Sequence, residues 1–128
     1  MRAFEWGAGR STVWLANHGV QVTAVETRQE WAKFVRDNAP SAHVIICDYN
    51  HEDYPDFIDA GAPYDLISVD GYHREKCLPK ALLSIAPGGI IAVDNADDAV
   101  VLSVIKGWDG ILEASFDNGV DRTSFYRG

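Results

Sequence analysis

Cysteine is scarce: Cys47 and Cys77 are the two in 128 residues, and they have no CxxC spacing. That excludes a disulfide scaffold or a thiolate zinc site and leaves buried free thiols as the expectation. No apolar run approaches the roughly 18 residues of a membrane span, and no basic-then-apolar leader opens the chain. A cytoplasmic protein without membrane contact is expected. Positive charge is short as well, with 11 Lys and Arg against 19 Asp and Glu and a formal net charge of -8. Such a field repels phosphate backbones and no basic stripe offsets it, so nucleic acid is not the expected partner. Repeats, low-complexity segments and linkers are missing too. What is present is a 47% hydrophobic chain with five Phe, five Tyr and four Trp, too apolar for a disordered tail. A chain of this length removes roughly two-thirds of its unfolded surface from water, enough for a core without staples. Residues 1–128 therefore read as a single domain.

Apolar runs alternating with amphipathic stretches set the architecture. Arg2 to Trp6 reads as a strand ending in Gly7-Ala8-Gly9, and Ser11 to His18 as a helix closed by Asn17-His18-Gly19. Val20 to Glu26 alternates as a strand and ends on an acid. Thr27 with Glu30 forms a capping box for a helix whose apolar face holds Trp31, Phe34 and Val35 before Pro40. His43 to Asp48 is a third strand, and Tyr49 to Pro63 a loop with room for one short helix. Tyr64 to Asp70 is a nearly unbroken apolar strand, as expected when both faces are covered. His73 to Ile85 is helical, and Pro87-Gly88-Gly89 turns into a fifth strand, Ile90 to Asp94. Ala96 to Gly107 fits a helix. Ile111 to Phe116 and Thr123 to Arg127 form a terminal antiparallel pair around Asn118-Gly119. Strands separated by helices require crossovers and a parallel sheet. The expected fold class is doubly wound α/β, a mostly parallel seven-stranded sheet with a C-terminal antiparallel hairpin and helices on both faces.

In such sheets ligands bind beyond the carboxyl ends of the strands, where strand order reverses. Those ends carry Glu5 to Gly9, Glu26, Asp48, Asp70 and Asp94-Asn95. Gly7 and Gly9 allow close backbone approach, and the helix behind them offers free N-H groups to an anion. Glu26, nineteen positions past Gly7, is placed for a carboxylate that accepts both ribose hydroxyls. A solvated residue at the head of a turn is the plainer alternative. A pyrophosphate prefers a third glycine and a positive cradle, but Ser11 and Thr12 follow here with acids around them. S-adenosylmethionine (SAM), with its sulfonium and ammonium, suits carboxylates better.

At these residues the chain resembles the class I SAM-dependent methyltransferases over nearly all its length. Glu5-Trp6-Gly7-Ala8-Gly9-Arg10-Ser11-Thr12 is similar to their glycine motif, and Val22 to Glu26 to the strand with the ribose acid. Cys47-Asp48-Tyr49 resembles the adenine-contacting turn, Tyr64 to Gly71 motif IV, and Leu83 to Asn95 the helix, Pro-Gly-Gly turn and fifth strand. The resemblance implies a Rossmann-like sheet with Glu5, Gly7, Gly9, Ser11, Glu26, Asp48, Tyr49 and Asp70 as SAM contacts. Helices that the family often places ahead of the first strand to cover the cofactor are absent from this chain, which starts at that strand.

Asp70-Gly71-Tyr72-His73 together with Asp94-Asn95 further resembles catechol-type and sugar O-methyltransferases, whose equivalent acids and amide hold Mg²⁺. Hard oxygen donors from Asp70, Asp94 and Asn95 suit that ion, which would acidify an acceptor hydroxyl. Asp70 as a cofactor contact with Asp94 and Asn95 capping a turn is the competing reading. His73 stands where the catechol-type enzymes keep a lysine. An imidazole of pKa about 6.5 takes a hydroxyl proton at neutral pH, so His73, with Asp70, is the candidate catalytic residue; an exposed helix start is the alternative. His51 is a second histidine on the binding edge. Arg74, Lys76 and Lys80 form either a solvated helix face or an attraction for an acidic or phosphorylated acceptor. Trp14 and Trp31 are expected in the core, and Trp6, Tyr49 and Tyr72 at the ligand. No Asp-Pro-Pro-Tyr or Asn-Pro-Pro-Tyr run points to an amino-methylating DNA enzyme. The expected function is SAM-dependent O-methylation of a small-molecule or sugar hydroxyl, Mg²⁺-assisted, with self-association into a homo-oligomer left open. A nicotinamide-dependent oxidoreductase and a non-catalytic SAM-binding subunit that needs a partner are the alternatives.

Overall fold

The computed structural model describes residues 1–70, 72–94, 111–117 and 122–127. Strand β1 (Arg2–Trp6) is buried from Ala3 onward because it lies between two parallel neighbours, β2 (Gln21–Glu26) and β4 (Tyr64–Val69). β3 (His43–Ile46) extends the sheet beyond β2, and β5 (Ile85–Val93) beyond β4, both parallel. β7 (Arg122–Arg127) runs antiparallel to β5, and β6 (Ile111–Asp117) antiparallel to β7, giving the order β3-β2-β1-β4-β5-β7-β6. The doubly wound, mostly parallel α/β sheet is thus present. The expected C-terminal hairpin is matched in part: both strands pair, while Asn118-Gly119 lies outside the described residues. So do Gly71, Asn95 and the expected helix from Ala96 to Gly107.

The pleat of β1 sends alternate residues to opposite faces, and the two faces differ in kind. Ala3 belongs to a cluster with Val22, Ala24 and Val44, covered by Ala16 of α1 (Arg10–Asn17) and by Ala32 and Val35 of α2 (Gln29–Asn38). Phe4 and Trp6 join a bulkier cluster with Ile67, Val69 and Ile91. That cluster is covered by Cys77, Leu78 and Ala81 of α3 (Arg74–Ser84) and by Tyr54 and Ile58 of a 3₁₀ turn (Tyr54–Ala60). Phe4 meets Trp6 edge-on at 5.0 Å, and Trp6 Nε1 donates to the Tyr54 carbonyl at 3.3 Å. Among the described residues no helix is long and apolar enough to cross a membrane.

Several local expectations change. Thr27 does not cap α2; its hydroxyl donates to the Cys47 carbonyl just past β3, and Arg28 takes the N-cap position without a side-chain bond. A tertiary partner outcompetes the local one. Pro87-Gly88-Gly89 is a bulge inside β5, since the register jumps from Tyr64 opposite Ile85 to Leu66 opposite Ile90. Gly88 holds a φ of 77°, and a Cβ on Gly89 would meet the Ala86 carbonyl at 2.9 Å, so glycine is required on steric grounds. Trp14 and Trp31 are not core residues: they are 60% and 38% exposed, because the α1 and α2 faces against the sheet are built from alanine and valine. Trp6, expected at the ligand, is fully buried. Of the two free thiols Cys77 is buried and Cys47 half-buried.

Replacing Ile67, fully buried in the central β4, by Ala is expected to cost about 2–5 kcal/mol. Leu83→Ala, at a position 85% exposed, is expected to stay within about 0.5 kcal/mol. Urea unfolding of both variants checks the pair.

Candidate functional site

Strand order reverses between β1 and β4, because β2 and β3 continue to one side and β5 to the other. The loops leaving β1, β2 and β4 diverge there, and backbone bonds align their starts. Gly7 N-H donates to the Val25 carbonyl at 2.8 Å, Asp70 N-H to the Trp6 carbonyl at 3.2 Å, and Asp94 N-H to the Val69 carbonyl at 3.1 Å. Between the diverging loops opens a cleft of about 820 Å³, the size of a small-molecule site.

The glycine turn forms one wall. Gly7 adopts a φ of 97°, a conformation that side-chain-bearing residues disfavour. Gly9 N-H is held by Thr12 Oγ1 at 3.0 Å, and the Trp31 ring stands beside the turn. Glu26 bridges this wall to the next loop: Oε1 accepts Ala8 N-H at 3.0 Å and Oε2 accepts Arg28 N-H at 2.7 Å. Each carboxylate oxygen keeps acceptor capacity beyond that one bond. Behind the turn lies Glu5, 1% exposed and outside the cleft lining. Its Oε2 accepts from Ser11 Oγ at 2.8 Å, while Oε1 is buried without a hydrogen-bond partner among the described residues. Burial pushes the Glu5 carboxyl up, against the hydroxyls of Thr12 and Ser11, which lower it.

Asp70, Tyr72, His73 and Arg74 form the opposite wall. The Asp70 carboxyl is pushed up to about 7, first by desolvation, then by a hydrogen bond with Asp94 and by its charge; Arg74 works against this. The Asp70 side chain nonetheless remains more than half exposed. His73 caps α3 with a left-handed φ of 56°, its carbonyl accepting the Lys76 and Cys77 N-H groups. Its Nδ1 lies 3.4 Å from Glu75 Oε1. Nearby Cys77 is pushed up to about 12 by burial, too high for a thiolate at neutral pH.

Of the residues expected at the ligand, Gly7, Gly9, Ser11, Glu26, Asp70 and His73 line this one cleft. Asp48 and Tyr49 do not: the Asp48 carboxylate accepts Asn50 N-H in a local turn, and the Tyr49 ring stacks at 4.1 Å on Tyr72. His51 is likewise outside the lining, with Nδ1 accepting Asp53 N-H. Asp94 meets Asp70, whereas Asn95 lies outside the described residues. No group of three or more His, Cys, Asp or Glu side chains is arranged for a metal ion among the described residues. Arg10 and Arg28, which no sequence motif singles out, line the cleft with Arg74. Their signal was position, since each arginine falls within four residues of a strand end. The expected carboxylate rim is therefore a mixed one with three guanidinium groups.

A family described as a methyltransferase domain matches residues 4–96. No protein of curated function matches the chain by sequence. Solved structures share the fold at low identity. A TehB-like SAM-dependent methyltransferase from Corynebacterium glutamicum is 16% identical, with a TM-score of 0.71 over 98% of this chain and 78% of that one. A Streptococcus mutans protein described as a methyltransferase, in complex with SAH, is 16% identical with a TM-score of 0.76 over 98% and 87%. A precorrin-6y C5,15-methyltransferase from Geobacter metallireducens is 12% identical with a TM-score of 0.74 over 100% and 79%.

Because folding raises the Asp70 carboxyl from 3.8 to about 7, the folded state holds its proton more tightly than the unfolded chain. That contribution is full below about pH 4 and is lost as pH rises through about 7. Thermal midpoints measured from pH 5 to 8 are expected to fall less steeply in Asp70→Asn than in the wild type.

Proposed function

The chain belongs to the methyltransferase domain family, matched over residues 4–96, and on that premise we propose that it binds SAM in the switch-point cleft and methylates a hydroxyl of a small molecule or sugar. The observation that carries this reading is Glu26, a nearly buried carboxylate fixed by two backbone N-H groups at the mouth of a glycine turn. So fixed, it presents its remaining lone pairs to a ribose diol without reorganising. The solved Streptococcus mutans neighbour in complex with SAH supports the choice of cofactor. A hydride-transfer reading on the same sheet has no comparable support.

When bound, SAM supplies an electrophilic methyl group on a sulfonium. The chain's residues position and exchange protons around it. Backbone at Gly7 and Gly9 allows close approach, and the first-turn N-H groups of α1, ahead of the Val13 to Gly9 bond, suit the cofactor's carboxylate. Asp70 faces the acceptor side, and ionised it attracts the cationic cofactor. His73 Nδ1 is turned to Glu75, which leaves Nε2 to take the acceptor's hydroxyl proton. Holding acceptor and methyl donor in line is the principal contribution, worth about 7–11 kcal/mol in favourable cases.

A metal-assisted form rests on the contact between Asp70 and Asp94. Two carboxylates close enough to share a proton form a hard donor pair that a divalent cation would satisfy. Together with Asn95 they are the residues that would hold Mg²⁺, whose chemistry there would be to acidify and orient the acceptor hydroxyl.

Isothermal titration with S-adenosylhomocysteine is expected to show binding that Glu26→Ala weakens by at least about tenfold, the equivalent of roughly 1.4 kcal/mol. Undiminished affinity would remove Glu26 from the ribose site. Methyl transfer by the isolated chain is expected to stop with EDTA and return with Mg²⁺; activity indifferent to chelation sinks the metal-assisted form. Activity that appears only with a second chain would favour the partner-dependent alternative.

A further inference from the structure

Three guanidinium groups line the cleft, and cofactor binding accounts for only part of that charge. Arg10 opens α1 beside the amides assigned to the cofactor carboxylate, and Arg28 follows the ribose acid. Arg74 lies elsewhere. It is the first residue of α3, on the face of the sheet opposite α1, in a run with Tyr72 and His73. Its side chain is 23% exposed, with Nη2 at 3.8 Å from Asp70 Oδ1, a loose ion pair. Its Nε is buried and has no hydrogen-bond partner among the described residues. A guanidinium carries five donors in a planar fork and stays charged, so this pairing leaves most of its capacity unused. Next to it, Tyr72 is 41% exposed and its ring is braced by Tyr49, stacked at 4.1 Å and 20°. A braced aromatic in a cleft wall offers a rigid surface to a planar ligand.

We propose that the acceptor is a planar hydroxy compound bearing an oxyanion, a carboxylate or a phosphate, which Arg74 grips while Tyr72 supports its ring and its hydroxyl meets His73 and Asp70. The inference rests on the methyltransferase reading of the same cleft. Three consecutive positions at one helix start thereby supply a stacking surface, a proton acceptor and an anion anchor. In a chain of net charge -8, an anionic acceptor is repelled at long range, so a local fork is what selects it. Were Arg74 only a counter-ion to Asp70, it would confer no preference between charged and neutral acceptors.

The test uses the full chain saturated with S-adenosylhomocysteine and titrated by calorimetry with 4-hydroxybenzoate, 4-hydroxyphenyl phosphate and the neutral 4-hydroxybenzamide. At least one anion is expected to bind about tenfold tighter than the amide, and its identity tells carboxylate from phosphate recognition. Arg74→Gln is expected to bring that anion down to the level of the amide while leaving S-adenosylhomocysteine affinity unchanged. Equal affinities in the wild type, or a preference that survives Arg74→Gln, overturn the proposal. Should Arg74→Gln fail to fold, Arg74→Lys is read in its place, with an expected loss of at least about threefold because the fork is gone; an undiminished preference overturns the grip. A wild type that does not bind S-adenosylhomocysteine overturns the methyltransferase reading and this one with it. Cofactor binding without anion preference overturns this one alone.

Discussion

The carboxylate of Glu26, held between the Ala8 and Arg28 amides, ties the turns after β1 and β2 into one surface along the cleft. Among the described residues the other backbone tie here is Gly7 to Val25, which joins the glycine turn to β2 itself rather than to the turn after it. Burying a charged side chain is unfavourable unless its oxygens are satisfied, and here two backbone donors satisfy it while leaving acceptor capacity on the cleft side. The same interaction that orders the loop thus orders the position from which a diol would be recognised. Under the proposed reading, structural and binding roles coincide on this one residue.

The two faces of the sheet contribute differently to that site. Alanine and valine between the sheet and α1 and α2 allow close helix approach, which brings the glycine turn and Trp31 together. The aromatic and branched cluster under α3 is bulkier, with Trp6 and Phe4 packed edge-on and Trp6 tied to the 3₁₀ turn. His73 and Arg74 stand at the end of that block. A tightly packed face positions groups with little reorganisation, as in-line transfer requires.

Electrostatics divides along the same lines. The chain as a whole is acidic, yet the cleft mixes Arg10, Arg28 and Arg74 with Glu26 and Asp70. Mixed charge suits a zwitterionic cofactor better than a uniformly negative rim would, since SAM carries a carboxylate as well as its two cations. The raised Asp70 carboxyl is the point of tension in this arrangement, because desolvation and the neighbouring Asp94 both oppose its charge.

The sequence by itself determined the order of strands and helices, the fold class, and the strand ends at which chemistry collects. Those depend on local periodicity and on glycines and prolines, which act over a few residues. Gly7, Glu26 and Asp70 were legible for that reason, since a parallel α/β sheet gathers its strand ends at one edge whatever the details. Tertiary structure alone decided which neighbours each residue meets. It sank Trp6 into the core, lifted Trp14 and Trp31 out of it, and set Asp48 and Tyr49 outside the cleft. It also diverted Thr27 from its cap to Cys47, placed Asp70 against Asp94, and gathered three arginines from separate loops. The physical reason is range: burial and charge pairing depend on groups distant in sequence, whose distances exist only once the sheet has closed.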